Sequence, residues 1–284
     1  MDPHLVEPGW LEQRLATPGL VVLDCNWHAP EANKSGLDTF RQGHLPGALH
    51  FDLQTASDPG SDYPNMLPAP ERFAEVAGAL GIDNRTSVVV YDAGYVAARI
   101  WWMFRLFGHE DVRILDGGFR RWQVEGREVE TGDPRRVEPR DFAARDVASG
   151  AAAQVAGWHA VLEALTTGSA QIVDARVRER FTGELPSGYP GLPPGHMPGA
   201  VNLPWTRMMR QSGDFGFESP ESAEAIFREA GIDPDRPIIS TCGSGITAAV
   251  LVFQLVRMGR TNWRLYDGSW NEWGSRADLP RRSA

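Results

Sequence analysis

Cysteine is scarce in this chain. Only Cys25 and Cys242 occur in 284 residues, which excludes a disulfide framework and a four-cysteine zinc site and points to a reducing compartment, the cytoplasm. Positive charge is outnumbered, with 28 Lys and Arg against 37 Asp and Glu and a net charge of −9. That balance argues against a broad basic footprint for nucleic acid or anionic lipid, so neither is expected as a partner. Long apolar runs are missing as well: the longest strictly apolar stretch toward the C-terminal half is Ala248 to Phe253, far short of a membrane span. The first ten residues, MDPHLVEPGW, are acidic and Pro-rich, with no basic region or apolar core, so no secretory signal is expected. What is present, 42% apolar and 23% charged residues, is a globular balance.

The chain repeats itself at about half its length. Gly43-His44-Leu45-Pro46-Gly47-Ala48 returns as Gly195-His196-Met197-Pro198-Gly199-Ala200, an offset of 152. Leu23-Asp24 returns as Val173-Asp174, and Gly81-Ile82-Asp83 as Gly231-Ile232-Asp233, both at 150. Asp116-Gly117 with Trp122 returns as Asp267-Gly268 with Trp273, at 151. Matched segments in one order at nearly one offset mean two copies of a domain, not a solenoid of short units.

Within each copy, short β-branched runs such as Val21-Val22-Leu23, Ser87-Val88-Val89-Val90-Tyr91 and Ile238-Ile239-Ser240 predict buried strands. Between them, Pro70 to Leu80 and Pro220 to Ala230 read as helices that open on proline and stop at Gly81 and Gly231. Strands alternating with helices predict an α/β fold, a mostly parallel sheet flanked by helices in each copy. The expected boundaries are 1–125 for the first domain, 126–150 for a charged linker and 151–284 for the second domain. The Pro- and Gly-rich stretch Thr182 to Pro194 reads either as the rim of a site or as a long connection.

The two copies differ most informatively after the fourth strand pattern. The first reads Tyr91-Asp92-Ala93-Gly94, the second Thr241-Cys242-Gly243-Ser244-Gly245-Ile246-Thr247. Ligands in parallel sheets sit beyond the carboxyl ends of strands, which is where Cys242 falls. Glycines there let successive N–H groups turn toward one centre, and the following helix adds partial positive charge. A cysteine in such a place is expected to ionise readily and act as a nucleophile. The bland alternative is a small buried cysteine in a turn. Phosphate-ester hydrolysis is disfavoured because Ala248 stands six positions on, where a phosphate-clamping arginine would be required. A two-cysteine redox pair is disfavoured because Gly245 fills the second position. His196 is matched by His44 in the cysteine-free copy, so both histidines read as fold-supporting. An amide-cradled nucleophile without a base suits sulfur carried as a persulfide, with the amides of Gly243, Ser244, Gly245, Ile246 and Thr247 holding its charge.

These residues are similar to those of the tandem-domain rhodanese family, the thiosulfate and 3-mercaptopyruvate sulfurtransferases. The resemblance rests on the repeated Gly-His-x-Pro-Gly-Ala motif, the Cys242-Gly-Ser-Gly-Ile-Thr loop, Tyr266-Asp267-Gly268-Ser269-Trp270 with Glu272-Trp273, and Arg99 to Arg105. It implies two tandem rhodanese-like domains, the first a structural copy without the loop cysteine. It implies Cys242 as the catalytic residue and Arg180, in the pair Arg180-Phe181, as the substrate-binding residue. No metal or organic cofactor is implied. The implied partners are a small anionic sulfur donor and a thiol, cyanide or thioredoxin-like acceptor. In the family, thiosulfate enzymes carry cations just after the cysteine and mercaptopyruvate enzymes carry Gly-Ser-Gly-Val-Thr, so this loop favours 3-mercaptopyruvate.

Three positions depart from the mercaptopyruvate pattern. Tyr189 stands where a second substrate arginine is expected, and reads as a loop packing residue. Gln54 and Asn65 stand where an Asp and a His would serve the loop serine, so Ser244 is expected to lack a charge-relay partner. Thiosulfate is therefore kept as the alternative donor, and a non-catalytic scaffold as the alternative of another class.

Overall fold

The computed structural model describes residues 2–147 and 154–283. Two compact units emerge, one of Met1–Pro59, Leu67–Ser149 and Arg210–Phe217, the other of Gly60–Met66, Gly150–Met209 and Glu218–Ala284. The family of motifs at one offset thus appears as two folded bodies, each on its own sheet. No helix among the described residues is long and apolar enough to cross a membrane.

The first unit runs β1 (Leu5–Val6), α1 (Pro8–Glu12), β2 (Leu20–Asp24), α2 (Gly36–Gln42), β3 (Leu49–His50), α3 (Pro70–Ala79), β4 (Ser87–Tyr91), α4 (Val96–Leu106), β5 (Val112–Leu115) and α5 (Gly118–Val124). Its strands lie in the order β1-β5-β4-β2-β3 and all pairs are parallel. β4 is central, so Val88-Val89-Val90-Tyr91 are all buried, as a strand covered on both faces requires. α4 is apolar around most of its circumference and buries Trp101 and Trp102; the tryptophan pair is helix core. Phe40, Leu45, Val89, Leu115 and Trp122 share one core cluster.

The second unit repeats this plan with β6 (Val155–Ala156), α6 (Trp158–Thr167), β7 (Gln171–Asp174), α7 (Arg178–Thr182), β8 (Val201–Asn202), α8 (Pro220–Glu229), β9 (Ile238–Thr241), α9 (Ala248–Arg257), β10 (Trp263–Tyr266) and α10 (Ser269–Ser275). The order is β6-β10-β9-β7-β8, again with parallel pairing. Trp270, Trp273, Tyr266 and Met197 fill its core. The histidines of the repeated motif do the same work in both units. His44 Nδ1 meets the Phe40 carbonyl at 2.8 Å and its ring stacks on Phe40; His196 Nδ1 meets the Phe181 carbonyl at 2.8 Å and stacks on Phe181.

The stretch expected as a linker, 126–150, is described as far as Val147, and up to there it is laid along the first unit. The Arg140 N–H donates to the Gly78 carbonyl at 2.9 Å, and the Arg145 N–H to the Phe107 carbonyl at 2.8 Å. Phe142 is buried among Phe73, Phe104 and His109. Its charge density hid this role, because one aromatic and backbone hydrogen bonds do the anchoring. The remainder of that stretch lies outside the described residues.

In the first unit the loop that follows β4 is closed by its own side chain. Asp92 Oδ2 accepts the N–H groups of Tyr95 and Val96, each at 2.7 Å. Burial pushes the Asp92 carboxyl up to about 6, against the lowering effect of the Val96, Tyr95 and Gly94 amides. The fold therefore favours the neutral acid, and this contribution to stability is complete below the ordinary Asp range and lost as pH rises through about 6.

Two outcomes follow. Asp92→Asn keeps an oxygen for both amides and removes the buried charge. It should flatten the fall in stability between pH 4 and 7 and raise stability above pH 7 by about 2–3 kcal/mol, read from urea unfolding at several pH values. Gly78 lies in a helix, where alanine ordinarily stabilises by ~1 kcal/mol, but a Cβ there would meet the Arg140 carbonyl oxygen at 2.4 Å. Gly78→Ala should instead lower the urea midpoint, by about 1–3 kcal/mol of stability.

Candidate functional site

β9 carries the chain to the site. Ile238 to Thr241 are buried on both faces, the polypeptide leaves the sheet at Cys242, and α9 begins at Ala248 after Thr247 as N-cap. α9 is buried from Ala248 through Leu255, so both ends of the loop are fixed by packing. Gly245 has φ +77°, the left-handed region that a side chain resists. Gly243 admits a neighbour: a Cβ there would lie 3.3 Å from Tyr189 Cε2.

α10 holds the loop from the other side. The Ser269 hydroxyl oxygen accepts the Cys242 N–H at 3.0 Å and the Gly245 N–H at 3.2 Å. Its proton goes to the Tyr266 carbonyl at 2.8 Å. Ser269 is fully buried and has φ +49°, a strained state for serine that these three hydrogen bonds maintain. The Trp270 N–H donates to the Cys242 carbonyl at 3.0 Å. The Gly243 carbonyl accepts both the Asn271 N–H, at 2.9 Å, and its side-chain amide, at 2.7 Å. Among the described residues, the N–H groups of Gly243, Ser244, Ile246 and Thr247 meet no oxygen.

One expectation changes here. The Gly245 amide was expected in the anion cradle, and it donates to Ser269 instead. Gly245 serves the loop through its backbone shape. Ser269 and Asn271 were missed as loop supports, although the repeat carried a signal: Ser269 aligns with Gly118, whose Cβ would meet the Asp92 carbonyl oxygen at 2.2 Å. Only the cysteine-bearing copy has a hydroxyl at that place.

Cys242 is buried, with 2% of its surface exposed. The other cysteine differs in kind. Cys25 is buried beside Asp24 and Asp92, and burial first, then those two charges, push its thiol well above the usual range; it stays protonated and unreactive.

Ser244 has two partners. Asn65 Nδ2 donates to its hydroxyl oxygen at 3.0 Å and the Tyr189 hydroxyl donates to it at 2.6 Å. Tyr189 is thus a partner of the loop serine, which corrects its reading as a packing residue. Asn65, φ +60°, belongs with the second unit, in a conformation asparagine tolerates. Both positions were marked only as departures, because sequence spacing cannot show which side chains converge. Gln54 stands apart, exposed in the first unit with its N–H on Asp52 Oδ1 at 3.0 Å.

The Pro- and Gly-rich stretch 182–194 is the rim that delivers Tyr189. Arg180 on α7 lies against it, donating from Nη1 to the Ser187 carbonyl at 3.2 Å. A Cβ on Gly188 would fall 1.8 Å from that nitrogen, so glycine is required for the guanidinium to sit there. Arg207 pairs with Glu229 at 2.9 Å. Among the described residues no group of three His, Cys, Asp or Glu is arranged to hold a metal ion.

Residues 7–125 and 158–276 each match the Rhodanese-like domain family. The chain is 38% identical over 281 residues to the 3-mercaptopyruvate sulfurtransferase of Rattus norvegicus, covering 96% of this chain and 92% of that protein. It is 39% identical over 274 residues to the 3-mercaptopyruvate sulfurtransferase of Escherichia coli K12, with 95% of each covered. It is also 39% identical over 279 residues to the thiosulfate sulfurtransferase of Cricetulus griseus, covering 95% and 91%. The crystal structure of the 3-mercaptopyruvate sulfotransferase SseA from Escherichia coli superposes with a TM-score of 0.83 at 36% identity, over 94% of this chain and 98% of that one. With the domain present twice and relatives matched along nearly their whole length, the chain belongs to the rhodanese family, as a two-domain sulfurtransferase.

Proposed function

We propose that this enzyme takes sulfur from a small anionic donor, 3-mercaptopyruvate favoured, onto Cys242 as a persulfide and passes it to a thiol, cyanide or reduced thioredoxin-like acceptor. The observation that carries the reading is the pair of homologous loops. In the first unit the loop after β4 wraps amides around an acidic side chain, Asp92. In the second unit the same loop position is Cys242, and the amides of Gly243, Ser244, Ile246 and Thr247 meet no oxygen among the described residues. A carboxylate in such a place loses more by burial than the amides return. A persulfide spreads its charge over two large sulfur atoms, so its desolvation penalty is smaller and the amide contribution weighs more.

The steps balance without a cofactor. The Cys242 thiolate attacks the thiol sulfur of 3-mercaptopyruvate; an S–S bond forms, the C–S bond breaks, and the electron pair leaves with the enolate of pyruvate. The proton of the donor's own S–H then moves to the enolate carbon, giving pyruvate and the Cys242 persulfide anion. An acceptor thiolate or cyanide takes the outer sulfur and returns the Cys242 thiolate. Arg180 holds the donor's carboxylate by charge-assisted hydrogen bonds. The low exposure of Cys242 favours small donors and acceptors.

The preference for 3-mercaptopyruvate rests on a loop, Gly243 to Thr247, with no charged side chain to draw in a dianion. Thiosulfate is the second reading. It is favoured by the name of the hamster relative and by a tyrosine at 189 where the mercaptopyruvate pattern has its second arginine.

Intact-mass measurement after incubation with 3-mercaptopyruvate should show a gain of one sulfur atom, removed by cyanide or a thiol. The gain should persist in Cys25→Ser and vanish in Cys242→Ser. Absence of any gain with both 3-mercaptopyruvate and thiosulfate would overturn the reading.

A further inference from the structure

After α10 the chain doubles back onto its own unit. Leu279 is buried in the core of the second unit. The Pro280 carbonyl accepts the Trp273 Nε1–H at 2.8 Å, and Arg281 Nη1 donates to the Gly274 carbonyl at 3.0 Å. Arg282 then pairs with His196 as an isolated antiparallel bridge. The His196 N–H donates to the Arg282 carbonyl at 2.8 Å, and the Arg282 N–H to the His196 carbonyl at 3.0 Å. The approach is so close that a Cβ on Gly195 would fall 2.4 Å from the Arg282 carbonyl oxygen.

The short segment pinned by this bridge holds the end of α7. His196 Nδ1 donates to the Phe181 carbonyl at 2.8 Å. The Gly195 carbonyl accepts from Arg176 Nη2 at 2.9 Å, and Arg176 Nη1 donates to the Arg180 carbonyl at 3.4 Å. Arg176 is itself fixed by the buried Asp174 carboxylate at 2.7 Å. A helix of five residues is too short to keep its shape unaided, so these carbonyl contacts set where its side chains begin. Arg180 is one of them.

We infer that the backbone at Arg282 is a positioning element for donor binding: through Gly195-His196 and the end of α7 it fixes the Arg180 guanidinium, and so sets the affinity for the donor's carboxylate. This rests on Arg180 holding that carboxylate, as proposed above. A charge-assisted hydrogen bond weakens as its donor turns away, so such a clamp depends on direction. The duplication isolates the effect. In the first unit Glu130 makes the same bridge with His44, at 2.9 Å in both directions, and His44 holds the Phe40 carbonyl. Before Phe40 stands Thr39, whose hydroxyl donates to the Ser35 carbonyl; before Phe181 stands Arg180. The bridge belongs to the fold, and in the second unit it carries a cation.

Arg282→Pro removes the bridging N–H without altering α7. It should raise KM for 3-mercaptopyruvate about fivefold or more, and the Ki of pyruvate as a competitive inhibitor in parallel, with kcat changed less than about twofold. Arg282→Ala keeps the N–H and loses only an exposed side chain, so it should restore KM. Glu130→Pro cuts the matching bridge in the first unit and should leave KM and Ki unchanged. The deciding measurement is a double-mutant cycle: on an Arg180→Ala background, Arg282→Pro should add nothing further to KM. His196→Phe keeps the stack on Phe181 and drops the bond to its carbonyl; it runs the same cycle where Arg282→Pro yields no folded protein. An unchanged KM in the bridge variants, a matching rise in Glu130→Pro, or additive rises in the cycle would overturn the inference. An unchanged KM in Arg180→Ala overturns the Arg180 assignment and the inference together, while a sulfur gain on Cys242 leaves the persulfide reading standing.

Discussion

Two peptide N–H groups, those of Cys242 and Gly245, end on a single hydroxyl oxygen, that of Ser269. The loop bearing the thiol is also held by Trp270 on the Cys242 carbonyl, Asn271 on the Gly243 carbonyl, and Asn65 and Tyr189 on the Ser244 hydroxyl. Its flanks are set by packing of β9 and α9, but its curvature depends on the buried Ser269, held at positive φ with its proton on the Tyr266 carbonyl. A buried N–H without a partner costs about 1–3 kcal/mol, so the hydroxyl both satisfies two amides and defines which of the loop's amides remain for a ligand. Asn271 extends the same logic by saturating the Gly243 carbonyl. The start of α10 thereby acts as the template on which the reactive loop is shaped.

The duplicated fold supplies an internal comparison. Both sheets bring a buried central strand to the same kind of turn, and the two turns differ in what they hold. In the first, a carboxylate fills its own ring of amides, and burial raises its pKa to about 6. In the second, the side chain is a thiol, and the loop is stabilised from outside by Ser269 in place of an internal anion. Gly118, which cannot accept a Cβ without meeting the Asp92 carbonyl, and Ser269, which uses its Cβ to carry the bracing hydroxyl, are the two ends of that exchange. Cys25 shows that burial alone does not make a nucleophile: next to two acids, its thiol is held protonated.

Much of the fold was legible in the sequence. The strands around Val22, Val89 and Ile239 and the helices opening at Pro70 and Pro220 were readable because β-branched runs, N-terminal prolines and terminal glycines act locally. The half-chain repeat fixed the number of bodies, and the strand-end position of Cys242 marked the site. The role of 126–147 was not legible, because its attachment depends on Phe142 and on backbone hydrogen bonds to Gly78 and Phe107. Nor was the grouping of residues 210–217 with the first unit. It follows from the buried Asp116 carboxylate, which accepts from Arg210 and from the Phe217 N–H at 2.7 and 2.9 Å.

The sequence by itself determined the parallel architecture, its duplication and the identity of the thiol, since each is written in local periodicity or in a difference between two aligned copies. Tertiary structure alone decided what surrounds Ser244 and which amides the loop leaves open. Asn65 and Tyr189 lie 179 and 55 residues from that serine along the chain, and hydrogen bonds reach only about 3 Å. No spacing rule can say that they meet; only the folded path of the backbone brings their donors onto one oxygen.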